Sequence, residues 1–209
     1  MSDPSSWSLA ISWVGTLALA LVLAAVAGLR AWLPLLVAGG LSRLGVADLG
    51  ASFTWLGSGP ALAVLGGATV IEIVGDKIPV VDHFLDAIGT VIRPLAGALA
   101  AAAALVQIHD PLIALVIGIV VGAPVALAPH VAKSTLRGVS TGTTAGFANP
   151  LLSVIEDGVA FFIALLAFLL PVLALLMVVG CVWLAWRWLR KVRRRSLASR
   201  GVPAAERGP

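Results

Sequence analysis

The chain has 209 residues, of which 60% are hydrophobic and 11% are charged, and its mean hydropathy is +1.06. Soluble domains carry about 25% charged residues, so this composition predicts a membrane protein and leaves no separate soluble domain. The formal net charge is +4, but no basic face lies on a soluble element, which argues against nucleic acid as a partner.

Six apolar stretches approach the length of about 20 residues that a spanning helix needs. They are Ser8–Gly28, Pro60–Gly75, Val91–Ile108, Pro111–His130, Leu151–Leu170 and Pro171–Leu189. The sequence therefore predicts an all-α, polytopic membrane helix bundle of about six transmembrane helices. Ala31–Gly45 is apolar but short and broken by glycines, and it is either a re-entrant or interfacial helix or a short seventh span.

The chain organisation is predicted to be one transmembrane domain, residues 1–189, followed by a basic, disordered tail over residues 190–209. Six basic residues lie between Arg187 and Arg195, and the positive-inside rule then predicts a cytoplasmic carboxyl terminus. Three spans in each half, residues 8–108 and 111–189, would give a three-plus-three inverted repeat, as in many transporters. The oligomeric state and the side of the amino terminus stay open.

The first group of charged residues ends the second predicted span. Glu72 and Asp76 are four residues apart and share a helix face. Glu72 would lie about 18 Å along that span, where a charge costs at least about 2.5 kcal/mol unless it faces a partner, water or a ligand. We expect both carboxylates to bind an ion or a substrate, although Asp76 and Lys77 would also suit an interfacial helix end.

Asp82, His83 and Asp86 follow on a predicted short cytoplasmic helix. They form either a solvated face or an acidic vestibule that attracts cations towards Glu72 and Asp76. A metal site is one reading of these carboxylates, and oxygen ligands favour a hard divalent cation over zinc.

The remaining polar residues flank the fifth predicted span. Asn149 is a predicted helix cap, and Ser153, Glu156 and Asp157 follow it into the apolar stretch, beyond the first turn where acidic residues favour a helix amino terminus. We expect this group to face a polar cavity as a second part of the binding site. The predicted counter-charges are Lys77, Arg93, His130, Lys133 and Arg137, and a purely structural ion-pair network is the competing interpretation.

Four segments carry a family resemblance. They read "GLRAWLPLL", "EIVGDKIPVVDHFLDAIGTVIRPLAGAL", "HVAKSTLRG" and "NPLLSVIEDGVA". In this order and spacing they resemble a bacterial membrane family catalogued as domain of unknown function 4126, which implies a multi-pass protein of the bacterial cytoplasmic (inner) membrane. Residues 72–77 are also similar to the E-x-G-D-K-[ST] motif of cation/proton exchangers, and that similarity implies cation binding by Glu72 and Asp76.

Three functions are compatible with these residues. The leading hypothesis is a small secondary transporter or proton-coupled cation exchanger, with a small solute or cation as its partner. The alternatives are a membrane-embedded enzyme acting on lipid or phosphorylated headgroups, with Mg²⁺ held by Asp76, Asp82, His83 and Asp86, and a non-catalytic assembly protein. No nucleophile-plus-base arrangement appears in the sequence, so an enzyme is the less favoured class.

Overall fold

A computed structural model of the chain describes residues 4–144 and 149–199, and this part of the chain contains helices and no strand. Eight α-helices follow one another, and they are α1 (Pro4–Leu29), α2 (Leu33–Arg43), α3 (Gly59–Gly75), α4 (Pro79–Ala104), α5 (Pro111–Ile117), α6 (Ala123–Thr144), α7 (Asn149–Leu169) and α8 (Pro171–Ser199). A 3₁₀ helix, Ala51–Gly57, precedes α3, and a π-helical turn, Gly118–Gly122, joins α5 to α6.

In the described part of the chain, four helical segments are long and apolar enough to cross a membrane, which indicates a multi-pass membrane protein. They are Ile11–Leu29, Phe84–Ala104, Pro111–Gly142 and Pro150–Leu169. A fifth span is counted if the 3₁₀ helix and α3, which meet at a bend of 66°, cross together. Helices are present at all six predicted stretches. Among the described residues the second and sixth do not qualify alone, because α3 has 17 residues and the described apolar part of α8 is Pro171–Leu184.

The ambiguous segment Ala31–Gly45 contains α2, a helix of 11 residues. It belongs with the shorter apolar helices rather than with the candidate spans. This length is compatible with a re-entrant or interfacial helix, and the number of crossings stays a prediction.

Two helices of the structure are longer than the sequence predicts. The predicted short helix around Asp86 is wrong as a separate element, because α4 starts at Pro79 and continues to Ala104 through an internal proline, Pro94. Likewise, α6 continues to Thr144 through Pro129. Neighbouring helices can compensate the hydrogen bond that a proline removes, so a helix within a bundle can continue through a proline. At the other end of the chain, α8 continues to Ser199, which includes the first part of the predicted tail.

Glycines bring α1, α4 and α6 into backbone contact. A Cβ atom on Gly28 would lie 2.0 Å from the Ala126 carbonyl oxygen, and one on Gly97 would lie 2.6 Å from the Ala126 Cβ. Small residues allow this close approach in membrane helix bundles. The contact sets the spacing of the three helices next to Arg30 and Arg93, which lie two residues after Gly28 and four before Gly97.

Candidate functional site

Asp76 is the centre of the buried charges. It caps the carboxyl end of α3, and its side chain has no exposed surface. Its Oδ2 atom accepts hydrogen bonds from Arg30, from Lys133 Nζ at 2.8 Å and from Arg137 at 3.1 Å. Burial by itself raises the pKa of Asp76, but the positive charges of Lys133, Arg30 and Arg137 outweigh it and hold the pKa below its ordinary value. Asp76 is therefore an anion at neutral pH.

The two carboxylates of α7 complete this side of the network. Glu156 Oε2 lies 3.0 Å from Arg137 and 3.4 Å from Lys133 Nζ, so both cations contact Asp76 and Glu156 together. Asp157 contacts the guanidinium group of Arg30 and lies 3.2 Å from Lys77 Nζ.

Ser153 lies one turn earlier on α7. It is fully buried, and its hydroxyl accepts a hydrogen bond of 3.0 Å from Arg30. The loop after α1 and helices α3, α6 and α7 are thereby joined through side chains.

Arg93 on α4 is the centre of the other side of the network. It is buried, and it lies 3.4 Å from Asp86 and 3.7 Å from Glu72 Oε1. It also contacts Nδ1 of His130, whose Nε2 lies 3.3 Å from the hydroxyl of Thr90. Because arginine has no acceptor, Nδ1 of His130 must accept, and its Nε2–H is then the donor to Thr90.

Glu72 differs from Asp76 in the number of cations that contact it, three for Asp76 and one for Glu72, whereas each carboxylate has one buried oxygen without a hydrogen-bond partner among the described residues. Glu72 is 5% exposed, and its Oε1 accepts a hydrogen bond of 3.1 Å from the Ala31 amide. The guanidinium group of Arg93 lies 3.7 Å from the same oxygen. Glu72 Oε2 is buried and has no hydrogen-bond partner among the described residues. An unpaired buried carboxylate oxygen costs free energy. A proton or a bound ligand at Oε2 would remove that cost.

The ion pairs of the network balance in number. Five basic and five acidic side chains of the described residues take part, namely Arg30, Lys77, Arg93, Lys133 and Arg137 with Glu72, Asp76, Asp86, Glu156 and Asp157. The basic and acidic side chains differ in solvent exposure, however. Four of the cations but only two of the carboxylates are buried. The interior of the network is therefore cationic and its partly exposed rim is acidic.

A cavity lies on each side of the network. The inner cavity, of about 160 Å³, lies between α3 and α4 and has Glu72, Arg93 and Trp32 in its wall. The lateral cavity, of about 180 Å³, lies between α1, α6, α7 and α8, and its only charged lining residues in the described part of the chain are Lys133 and Glu156. Each cavity thus has one cation and one carboxylate of the same network in its wall.

Most of the predicted site residues lie in this network. Asp76, Ser153, Glu156 and Asp157 come together around Arg30, whereas Glu72 lies with Arg93. The predicted counter-charges Lys77, Lys133 and Arg137 contact carboxylates, and His130 contacts Arg93 instead. The side chains of Asp82, His83 and Asn149 lie outside the described part of the structure, so their predicted roles stay predictions.

Arg30 was not among the predicted site residues, although it is fully buried and contacts the side chains of three of them. The signal that could have identified it is its position directly after an apolar span. There it did not fit the charge bias of the predicted topology.

The described residues contain no preformed metal-binding site. No three His, Cys, Asp or Glu side chains in this part of the chain are grouped so that they could hold a metal ion. Asp76, one of the two predicted cation ligands, faces three cations. A metal ion at Oδ2 would have to displace them.

Comparison with known proteins gives one match. Residues 17–191 match the model of the family described as "Domain of unknown function (DUF4126)", in agreement with the resemblance in the sequence. No curated protein and no solved structure matches the chain. The similarity to cation/proton exchangers therefore stays a prediction.

Proposed function

This chain belongs to the DUF4126 family, and we propose that it is a small secondary transporter in which Glu72 carries the coupling proton. The observation that supports this proposal is the buried Oε2 atom of Glu72, which has no partner in the described structure and belongs to a residue that lines the inner cavity. A buried ionisable group without full pairing costs stability. In membrane helices such residues mark ion and substrate pathways.

Asp76 and Glu72 have different roles in this mechanism. Asp76 stays ionised, because three cations contact one of its oxygens, and it holds those cations in place. Glu72 binds and releases the proton at its free oxygen. Among the described residues, the network is neutral with Glu72 ionised and has one excess positive charge with Glu72 protonated, so the proton changes the affinity of the network for a charged solute.

Bending of α4 and α6 would give the two sides of the network alternating access. Pro94 directly follows Arg93, and Pro129 directly precedes His130. Each proline removes a backbone hydrogen bond, which makes it a place where a helix bends. Because Arg93 and His130 contact each other, bending at either proline would move the contact between Arg93 and Glu72. We place the protein in the bacterial cytoplasmic membrane with its basic carboxyl-terminal segment in the cytoplasm.

Transport by purified protein in liposomes tests the proposal. A pH-sensitive dye inside the vesicles reports proton movement while cations and anions are added outside one at a time. We expect at least one solute to drive proton flux in wild-type vesicles, and Glu72→Gln to abolish that flux while the protein stays inserted and folded. Retained flux in Glu72→Gln would contradict the role of Glu72, and no flux with any solute would contradict transport.

A structural role is the second candidate, because the basic and acidic members of the network are equal in number among the described residues. If the ion pairs serve only to hold helices together, neutralising both members of a pair, as in Lys133→Gln with Glu156→Gln, preserves cellular function. Transport through the network predicts that this double variant is folded but inactive.

A further inference from the structure

The lateral cavity opens to the side of the helix bundle. Ile155, Val159 and Val182 line it, and all three are exposed at the surface of the protein. These residues lie on α7 and α8, both of which are strongly apolar where they line the cavity. A ligand would therefore enter the cavity from the bilayer rather than from water.

The polar groups of the lateral cavity are confined to one place. Lys133 and Glu156 contact each other at 3.4 Å, and the other lining residues of the described structure are apolar apart from Cys181. Along α7 the wall extends from Glu156 to Ile163, which is about 10 Å at 1.5 Å per residue. This cavity has room for a chain-like apolar group with one charged end.

The sign of that charged end follows from the residues behind Glu156. Glu156 has 14% of its side chain exposed, whereas the side chains of Lys133 and Arg137, which it contacts, are 1% and 4% exposed. A ligand that replaces the Glu156 carboxylate would meet two buried cations. A cationic head would be repelled there, and an anionic head would form the same charge-assisted hydrogen bonds.

We infer that the lateral cavity binds an anionic amphiphile, a carboxylate or phosphate attached to an apolar chain, with its head on Lys133 and Arg137 in place of Glu156. This inference rests on the proposed function, because it names the substrate class of the transporter. The binding site itself does not depend on proton coupling, so the two proposals can fail separately.

Binding of radiolabelled decyl phosphate to the full chain in phosphatidylcholine nanodiscs tests the inference, with empty nanodiscs as background. We expect saturable binding that is not displaced by three control compounds. Decanol lacks the charge, decyltrimethylammonium has a positive charge, and methyl phosphate lacks the apolar chain. Lys133→Gln should weaken binding about 10- to 100-fold. The exposed Arg43→Gln, which removes the same charge far from the cavity, should not change it.

Two further variants keep the test independent of whether Lys133→Gln folds. Glu156→Gln removes the competing carboxylate and should tighten binding several-fold, whereas a purely structural Glu156 gives unchanged or weaker binding. Cys181→Phe places a ring in the cavity wall and should abolish binding, while Val64→Phe, at a position 71% exposed on α3, should not.

The source of the amphiphile is distinguished by competition. Displacement by phosphatidic acid in the nanodisc indicates a membrane lipid, and displacement by hexyl phosphate alone indicates a solute from water; both support the inference. No binding above background, equal binding of decyltrimethylammonium, or unchanged or weaker binding in Glu156→Gln would overturn it. Binding of decyl phosphate without any proton flux in liposomes would support the binding site and contradict the proposed transport. Cation-driven proton flux without binding would contradict only the proposed substrate class.

Discussion

Replacing Asp76 by asparagine removes one buried charge with almost no change of shape. The carboxylate is fully buried and contacts Arg30, Lys133 and Arg137. One charge-assisted hydrogen bond contributes about 1.5–3 kcal/mol, but the three do not add. Lys133 and Arg137 keep Glu156, and Arg30 keeps Asp157. We therefore expect Asp76→Asn to lower the free energy of unfolding by about 3–5 kcal/mol, as for other broken buried ion pairs.

Reversible unfolding in mixed detergent micelles, followed by circular dichroism, measures this loss. Asp48→Asn is the matched control, because Asp48 is exposed and should change stability by less than about 0.5 kcal/mol. In a double-mutant cycle, Lys133→Gln should cost less in the Asp76→Asn background than in wild type, by about 0.5–3 kcal/mol. A stability of Asp76→Asn within about 0.5 kcal/mol of wild type would refute the assignment of Asp76 as the centre of the network.

Two other predictions use the same unfolding assay. Arg30→Gln should cost about 3–5 kcal/mol, because it leaves buried carboxylates without their cation, and the exposed Arg43→Gln should cost less than about 1 kcal/mol; equal losses would place Arg30 outside the network. Gly28→Ala should destabilise the protein by about 1–3 kcal/mol, because its Cβ would overlap the Ala126 carbonyl, whereas Gly15→Ala has open space within 4 Å and should be neutral or gain about 0.5–1 kcal/mol. A tolerated Gly28→Ala would argue against backbone contact between α1 and α6.

The sequence allowed the membrane class and much of the network to be predicted, because both depend on residue type and local spacing. Charges are rare in this chain, so Glu72, Asp76 and Glu156 stood out in apolar stretches. Their pairing could not be predicted in the same way, because it depends on how the helices pack. The contact of Gly28 with Ala126, for instance, involves two residues that are unremarkable in the sequence.

Arg30 illustrates the same limit. A basic residue directly after an apolar span is the usual mark of a membrane interface, and the sequence alone gives no reason to bury it. Only the folded chain brings Ser153 and Asp157, more than 120 residues away along the sequence, to its guanidinium group. The predicted boundaries failed for a related reason, since Pro94 and Pro129 lie inside continuous helices and do not end them.

Proton movement in matched proteoliposomes tests the central claim most directly. Wild type, Glu72→Gln and the control Asp48→Asn are reconstituted at equal protein density, with insertion and folding verified, and challenged with the same solute gradients. The account predicts equal proton flux per protein in wild type and Asp48→Asn and background flux in Glu72→Gln. Wild-type flux in Glu72→Gln would show that the free oxygen of Glu72 is not the proton carrier, and background flux in all three would show that the buried charges do not serve transport.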